Sequence, residues 1–367
     1  MKKILCIVLF CLLFAFSASA EENPYLEQYK ASGVEELSQQ LPDTAKDFFS
    51  ELEISPEDSD WVNKISAENI FSQIVVFLKE GGRGPLRAAA QMLGMIVLYA
   101  VANLSDRIAA YKNALSYIFM LIAAAGVLLP MFSLISSVTA AIKGTAAFMT
   151  SFVPIYAGIL TVGGRGLTAS GMSFLLLFAA EGVNLIASFV IVPLMGCYLG
   201  MGLVGGIMQG GGAIALGETV KKASTWLFSL ALTVFLGLLS IQTAVNASAD
   251  SAGLRTVKFV LSSLVPVTGG ALSESMTTLT SSMKLLRSSV GMYAVLALGI
   301  TVLPIILELL LWRITLFLVT AVAELFGVKE GADLFKCADH VLSTLLGVIL
   351  FTASLFIISL AVVTNSG

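Results

Sequence analysis

One histidine, His340, stands in this chain of 367 residues, three places after Cys337 and beside Asp339. Such a group could offer two or three ligands to a metal. A structural zinc site wants four, and no second histidine exists to complete one. Histidine-based nucleophilic catalysis would have to use the same residue, and no nearby serine is set in a matching pattern. The aspartate pair or His-Glu-x-x-His of intramembrane proteolysis is absent as well. Gly81-Gly82-Arg83-Gly84 and Gly163-Gly164-Arg165-Gly166 resemble each other. Neither has the phosphate-cradling P-loop pattern, so both read as flexible loops. The expectation is no enzyme, no metal and no cofactor, with Cys337 to His340 in a polar loop near a membrane.

Four ionisable residues sit inside long apolar runs: Glu181, Glu308, Arg313 and Glu324. A charge in the bilayer costs about 2.5–3.5 kcal/mol on the insertion scale, so it is usually paired or functional. Glu308 and Arg313 are five apart, just off the spacing of a good helical pair. Glu181 and Glu308 are therefore candidates for a hydrated path or for pairing between helices. Trp312-Arg313 has the character of a membrane interface.

A proline and a cation recur at fixed places. Ser151-Phe152-Val153-Pro154-Ile155-Tyr156 is echoed by Ser263-Leu264-Val265-Pro266-Val267-Thr268, 112 residues later. Ile142-Lys143 matches Leu254-Arg255 at the same offset. The pattern suggests a duplicated membrane unit, with repeat one over 132–245 and repeat two over 246–364. Both segments mix Ser and Thr into apolar sequence, and proline breaks helices. They read as irregular pieces that lie in the interface or re-enter partway, the kind of paired feature that marks a functional centre. Pro154, Pro266, Lys143 and Arg255 are the candidate hinge or path residues.

Composition supplies the setting. The chain is 57% hydrophobic and only 12% charged; soluble domains carry about 25% charged residues. This is an all-α, polytopic helical membrane protein. Lys2-Lys3, the apolar run Ile4–Phe16 and Ala18-Ser19-Ala20 read as a signal peptide over residues 1–20. Residues 21–84 hold 14 acidic and 5 basic residues, which suits a translocated, extracytoplasmic segment. Val34, Leu37, Leu41 and Ala45 fall at helical spacing there, as do Ile65, Ile70, Ile74, Phe77 and Leu78. The segment could form a small soluble cap, lie on the membrane or bind a partner. No dense basic patch exists, so nucleic-acid binding has no support. Cys197 and Cys337 read as small buried hydrophobes.

Residues 85–367 form the membrane domain, entered through the linker Gly81–Pro85. Leading helices cover 88–131, with spans at Ala88–Leu104 and Ala114–Met131. Ala223–Thr243 and Val341–Thr364 are further clear spans, and the GxxxG patterns from Gly196 to Gly210 allow close helix packing. Polar loops are expected at Gln209–Lys222 and Lys329–His340. The apolar runs Gly171–Met208 and Val290–Val328 decide the topology, because a crossing needs about 20 residues. One crossing each gives six spans and parallel halves; two each gives eight and inverted halves. The cations of Asn246–Ser289 lean the reading towards the inverted case.

The block Phe235-Leu236-Gly237-Leu238-Leu239-Ser240-Ile241-Gln242 is followed by Gly253-Leu254-Arg255-Thr256-Val257-Lys258-Phe259, then Val265-Pro266-Val267-Thr268-Gly269 and Leu285-Leu286-Arg287-Ser288-Ser289-Val290-Gly291. Together with Ser151–Tyr156 these resemble the stage III sporulation protein AE family of endospore-forming bacteria. The resemblance implies a multi-pass protein of the mother-cell membrane facing the forespore. It implies membership of the channel complex joining the two cells, with the other stage III A proteins and the forespore stage II Q protein as partners. It carries over no catalytic residue. The competing expectation is a secondary transporter with inverted repeats, its substrate held between Pro154 and Pro266.

Overall fold

The computed structural model describes residues 34–55, 61, 65–103, 112–186, 189–190, 192–207, 212–264 and 269–365. The expected signal peptide and Pro266 lie outside the described residues. The described chain forms ten α-helices. They are α1 (Glu35–Gln39), α2 (Asp43–Glu51), α3 (Ala67–Gly81), α4 (Arg83–Asn103) and α5 (Lys112–Val162), then α6 (Gly166–Ile186), α7 (Val192–Ile207), α8 (Gly212–Leu264), α9 (Gly269–Leu325) and α10 (Lys329–Asn365). Among the described residues six segments are long and apolar enough to cross a membrane: Glu68–Asn103, Ala114–Val162, Gly166–Ile186, Thr225–Gly253, Met283–Leu325 and Gly331–Thr364. That is the composition of a multi-pass membrane protein. Apolar side chains such as Phe174, Phe178, Trp226 and Phe317 stand exposed on its flanks, as a lipid-facing surface requires.

The described residues run the length of the bundle six times in alternating directions. α3 continues into α4, passing Leu311 of α9 at Gly82, and ends with Tyr99 stacked on Phe119. α5 starts beside it and returns, with Gly126 against Met92 and Tyr156 reaching Arg287 and Thr364. α6 and α7 go back together, from Thr168 beside Asp250 to Tyr198 beside Cys337. α8 returns to Asp250. α9 leaves again from Met283, which packs on Gly163, and α10 climbs from Gly331 beside Phe119 to Thr364. One end of the bundle therefore gathers Tyr156, Arg165, Asp250, Arg287 and Thr364, and is called the near end below. The runs Gly171–Met208 and Val290–Val328 each travel one way, so there are six tracks rather than eight. The up–down pairs α5 with α6–α7, and α8 with α9, point the same way, against the inverted arrangement that charge favoured.

The expected break at Pro154 does not occur, because α5 runs unbroken through both Pro130 and Pro154. An interior proline costs about 3 kcal/mol, whereas unravelling a helix in lipid exposes many backbone groups at several kcal/mol each. The hydroxyls that made this stretch look amphipathic are satisfied within the helix. Thr139, Thr145, Thr150, Ser151 and Thr161 each donate to the carbonyl four residues back. A self-satisfied hydroxyl can sit in an apolar setting. Leu134, Val138, Ile142, Thr145, Met149, Phe152 and Tyr156 accordingly form a buried stripe, and this helix is central rather than interfacial.

Four expected loops are helix or turn. Gly81–Pro85 is not a linker. Gly82 has helical angles (φ −76°, ψ −20°), with Gly82 N donating to Leu78 O and Leu86 N to Gly82 O. Pro85 sits in the first turn of α4, where a missing N–H costs little. Lys329–His340 is the start of α10, and most of Gln209–Lys222 is the start of α8. Gly163–Arg165 is a tight helix end rather than a flexible loop. Gly164 adopts φ 79°, and Arg165 N donates to Leu160 O at 2.8 Å. Gly327 (φ 72°) closes α9 in the same way, with Val328 N on Ala323 O. Only glycine takes this left-handed angle cheaply, so each turn reverses the chain in minimal length.

The N-terminal segment folds back onto the bundle. Val34, Leu37, Leu41 and Ala45, the spacing expected to be amphipathic, are all buried. They share one core with Phe48, Phe49 and Trp61. Ser66 starts α3 by accepting from Asn69 N at 3.1 Å.

Candidate functional site

α8 places its polar residues on one face near its C-terminal end. Gln242, Asn246 and Asp250 recur every four residues, the spacing that stacks side chains along a helix. That face meets the start of α6. Leu167 N and Thr168 N donate to the two Asp250 carboxylate oxygens at 3.1 and 2.9 Å, and Thr168 Oγ1 donates at 2.8 Å. Asn246 Nδ2 donates to Leu167 O at 3.1 Å. The first amides of a helix lack partners within it, and its N-terminus carries partial positive charge. A carboxylate from another helix answers both needs. Gly171 allows the approach, since a Cβ there would lie 2.5 Å from Asn246 Nδ2 and from Gln242 Nε2. The sequence alone does not show this contact, because the segment from Asn246 reads there as an irregular piece rather than a helix. The four-residue spacing was the available signal.

The neighbouring face of α8 is small and hydroxylated. Ser240, Thr243, Ala244, Ala247, Ser248, Ser251, Ala252 and Arg255 line an open recess of about 620 Å³ together with Arg165 and Val362. Among the described residues its lining holds two guanidiniums and no carboxylate, since Asp250 is turned to α6. Arg287, buried on α9, lies close enough to Arg165 for the two charges to repel. The near end is thus a cationic, hydroxyl-bearing recess.

Beside it, Tyr156 ties three helices together. Its ring is fully buried, and its hydroxyl lies 3.1 Å from Thr364 Oγ1 on α10 and 3.4 Å from the Arg287 carbonyl on α9. Thr364 in turn presses on Gly291, where a Cβ would meet its Oγ1. The N-terminal segment docks at the same level. Trp61 Nε1 donates to Ser289 Oγ at 2.8 Å, and its indole meets Tyr293 edge-on at 5.9 Å. Phe49 packs on the same tyrosine with ring centroids 4.6 Å apart.

The residues singled out from sequence are not brought to one place. Arg255 lines the cavity. Pro154 and Lys143 are exposed on α5, Glu181 is exposed on α6, and Glu308 is half-buried on α9. Lys143, Glu181 and Glu308 make no ion pair among the described residues. Arg313 does pair, but with Asp339 of α10 at 2.9 Å rather than with Glu308, and Glu324 pairs with Lys336 at 2.6 Å. Cys337 donates to Tyr198 Oη at 3.3 Å. The Cys337–His340 group thus has its acid and its thiol engaged in helix packing.

A family model described as stage III sporulation protein AE matches residues 60–367. Among curated proteins, the stage III sporulation protein AE of Bacillus subtilis (strain 168) is 23% identical over 279 residues, covering 74% of this chain and 68% of that protein. No solved structure matches the chain.

Proposed function

This chain belongs to the stage III sporulation protein AE family, and from that premise we propose that it is a non-enzymatic component of the mother cell–forespore channel complex. Its role in sporulation follows from the family. The complex, the mother-cell membrane facing the forespore and the partners are our reading: the other stage III A proteins and the forespore stage II Q protein. The observation that carries it is the extent of the family match, which takes in every crossing of the bundle. An architecture used as a whole suits a scaffold or conduit wall better than a reaction centre. The near end supports the same reading. There a folded N-terminal segment is clamped to the membrane helices through Trp61, which gives a preformed surface for a partner across the intermembrane space.

The repeated Pro154 and Pro266 phrases fit a duplication in which α5 corresponds to α8, both running towards the near end. A transporter of inverted halves would need opposite directions in its two repeats.

The test is affinity purification of the tagged full-length protein from sporulating cells crosslinked in place. Recovery of the stage III A proteins and stage II Q protein is the expected result. A protein recovered alone, yet able to move solutes in liposomes by itself, would establish the transporter instead. His340→Ala should leave spore yield at the wild-type level, and loss of yield by a stably inserted variant would restore the enzyme reading.

A further inference from the structure

We propose that the cavity between Arg165 and Arg255 binds the phosphoryl headgroup of an anionic phospholipid. The recess has the donors such a group needs. Two arginines line it, and Ser240, Thr243 and Ser251 add hydroxyls along one wall. Arginine presents a fork of donors that matches phosphate oxygens, and charge-assisted bonds of this kind are the strong ones. No described lining residue is acidic, and Arg287 adds a third positive charge nearby.

Depth identifies the source. Arg165 lies in the turn between the spans Ala114–Val162 and Gly166–Ile186, and Arg255 lies two residues beyond the end of Thr225–Gly253. Both arginines thus lie at the ends of apolar segments, and the ends of membrane-crossing helices are where headgroups are met. Below them on α8, Leu238, Ile241 and Val245 are 54%, 66% and 62% exposed. They offer an apolar track for acyl chains along the adjoining face of α8, beside the cationic recess. A soluble phosphate would use the arginines and leave that track idle. The inference needs only the multi-pass architecture and does not rest on the channel complex.

The full-length protein in nanodiscs of phosphatidylcholine, with or without phosphatidylglycerol, tests it. Bound lipid is counted by native mass spectrometry after release into mild detergent. The wild type should retain phosphatidylglycerol over phosphatidylcholine. Arg255→Gln should weaken retention about tenfold, the loss of one charge-assisted contact. Ser251→Leu, which fills the recess without changing charge, should do the same. Lys143→Gln removes a cation elsewhere and should not. Titration with inorganic phosphate and glycerol 1-phosphate in lipid-free detergent separates the sources. Weak stabilisation by these, against strong stabilisation by the whole lipid, assigns the headgroup. Equal stabilisation assigns a soluble phosphate at the same arginines. Retention unchanged in both Arg255→Gln and Ser251→Leu overturns the site.

Discussion

Asp250 of α8 closes the N-terminus of α6, holding Leu167 N, Thr168 N and the Thr168 hydroxyl on one buried carboxylate. The two residues are 82 apart in sequence, so this cap exists only in the folded bundle. It fixes both walls of the arginine-lined recess relative to each other.

Asp250→Ala leaves buried amides without acceptors and should destabilise the protein by about 2 kcal/mol. Asp250→Asn keeps one acceptor oxygen and loses the charge, so its cost should be smaller. Thermal unfolding in detergent measures both. Equal stability of Asp250→Ala and wild type would mean that the cap does not form.

Gly291→Ala forces a Cβ against Thr364 Oγ1 and should cost about 1–3 kcal/mol through overpacking. Adding Thr364→Ala makes room again. The double variant should recover most of the loss, but not all, because Tyr156 then lacks a hydroxyl partner. A double-mutant cycle by chemical denaturation reads the coupling.

Trp61→Phe keeps the aromatic packing on Tyr293 but removes the donor to Ser289. Loss of one such hydrogen bond is worth about 1 kcal/mol. The N-terminal segment should then be cleaved faster by limited proteolysis, while the crossings stay protected. Ser289→Ala should have the same effect, and the two changes together should add little.

Pro154→Ala should be tolerated, and should raise the unfolding midpoint by restoring the N–H that the Thr150 carbonyl lacks. An interior proline costs about 3 kcal/mol in an exposed helix, which bounds the gain. Spore yield and thermal unfolding are the measurements. A fall in both would make Pro154 the hinge that sequence suggested.

Arg313→Gln and Asp339→Asn each strand one charge among apolar residues. Each should cost about 1 kcal/mol, modest because both side chains are 31% exposed. The double variant should lose less than the sum, and a thermal-shift cycle checks this.

Much of the fold was legible because lipid leaves the backbone few choices. Long apolar runs with scattered charges must be helices, and Val34, Leu37, Leu41 and Ala45 announced their buried face by spacing alone. Local signals misled where they met that constraint. Pro154, the glycines of Gly81–Gly84 and the Ser/Thr residues of α5 all read as breaks or polar surface, yet their helices run through. A proline or hydroxyl is costed within one turn, whereas the alternative exposes a whole segment of backbone.

The sequence by itself determined the class of the protein, its helical tracks and its family, because hydrophobicity and composition act residue by residue. Only the tertiary structure decided the direction in which each helix crosses, the pairing of Arg313 with Asp339 rather than Glu308, and the meeting of Arg165 with Arg255. Those outcomes depend on which helix faces which. That is set by close approaches at glycine and by caps donated from distant segments, and neither leaves a periodic trace along the chain.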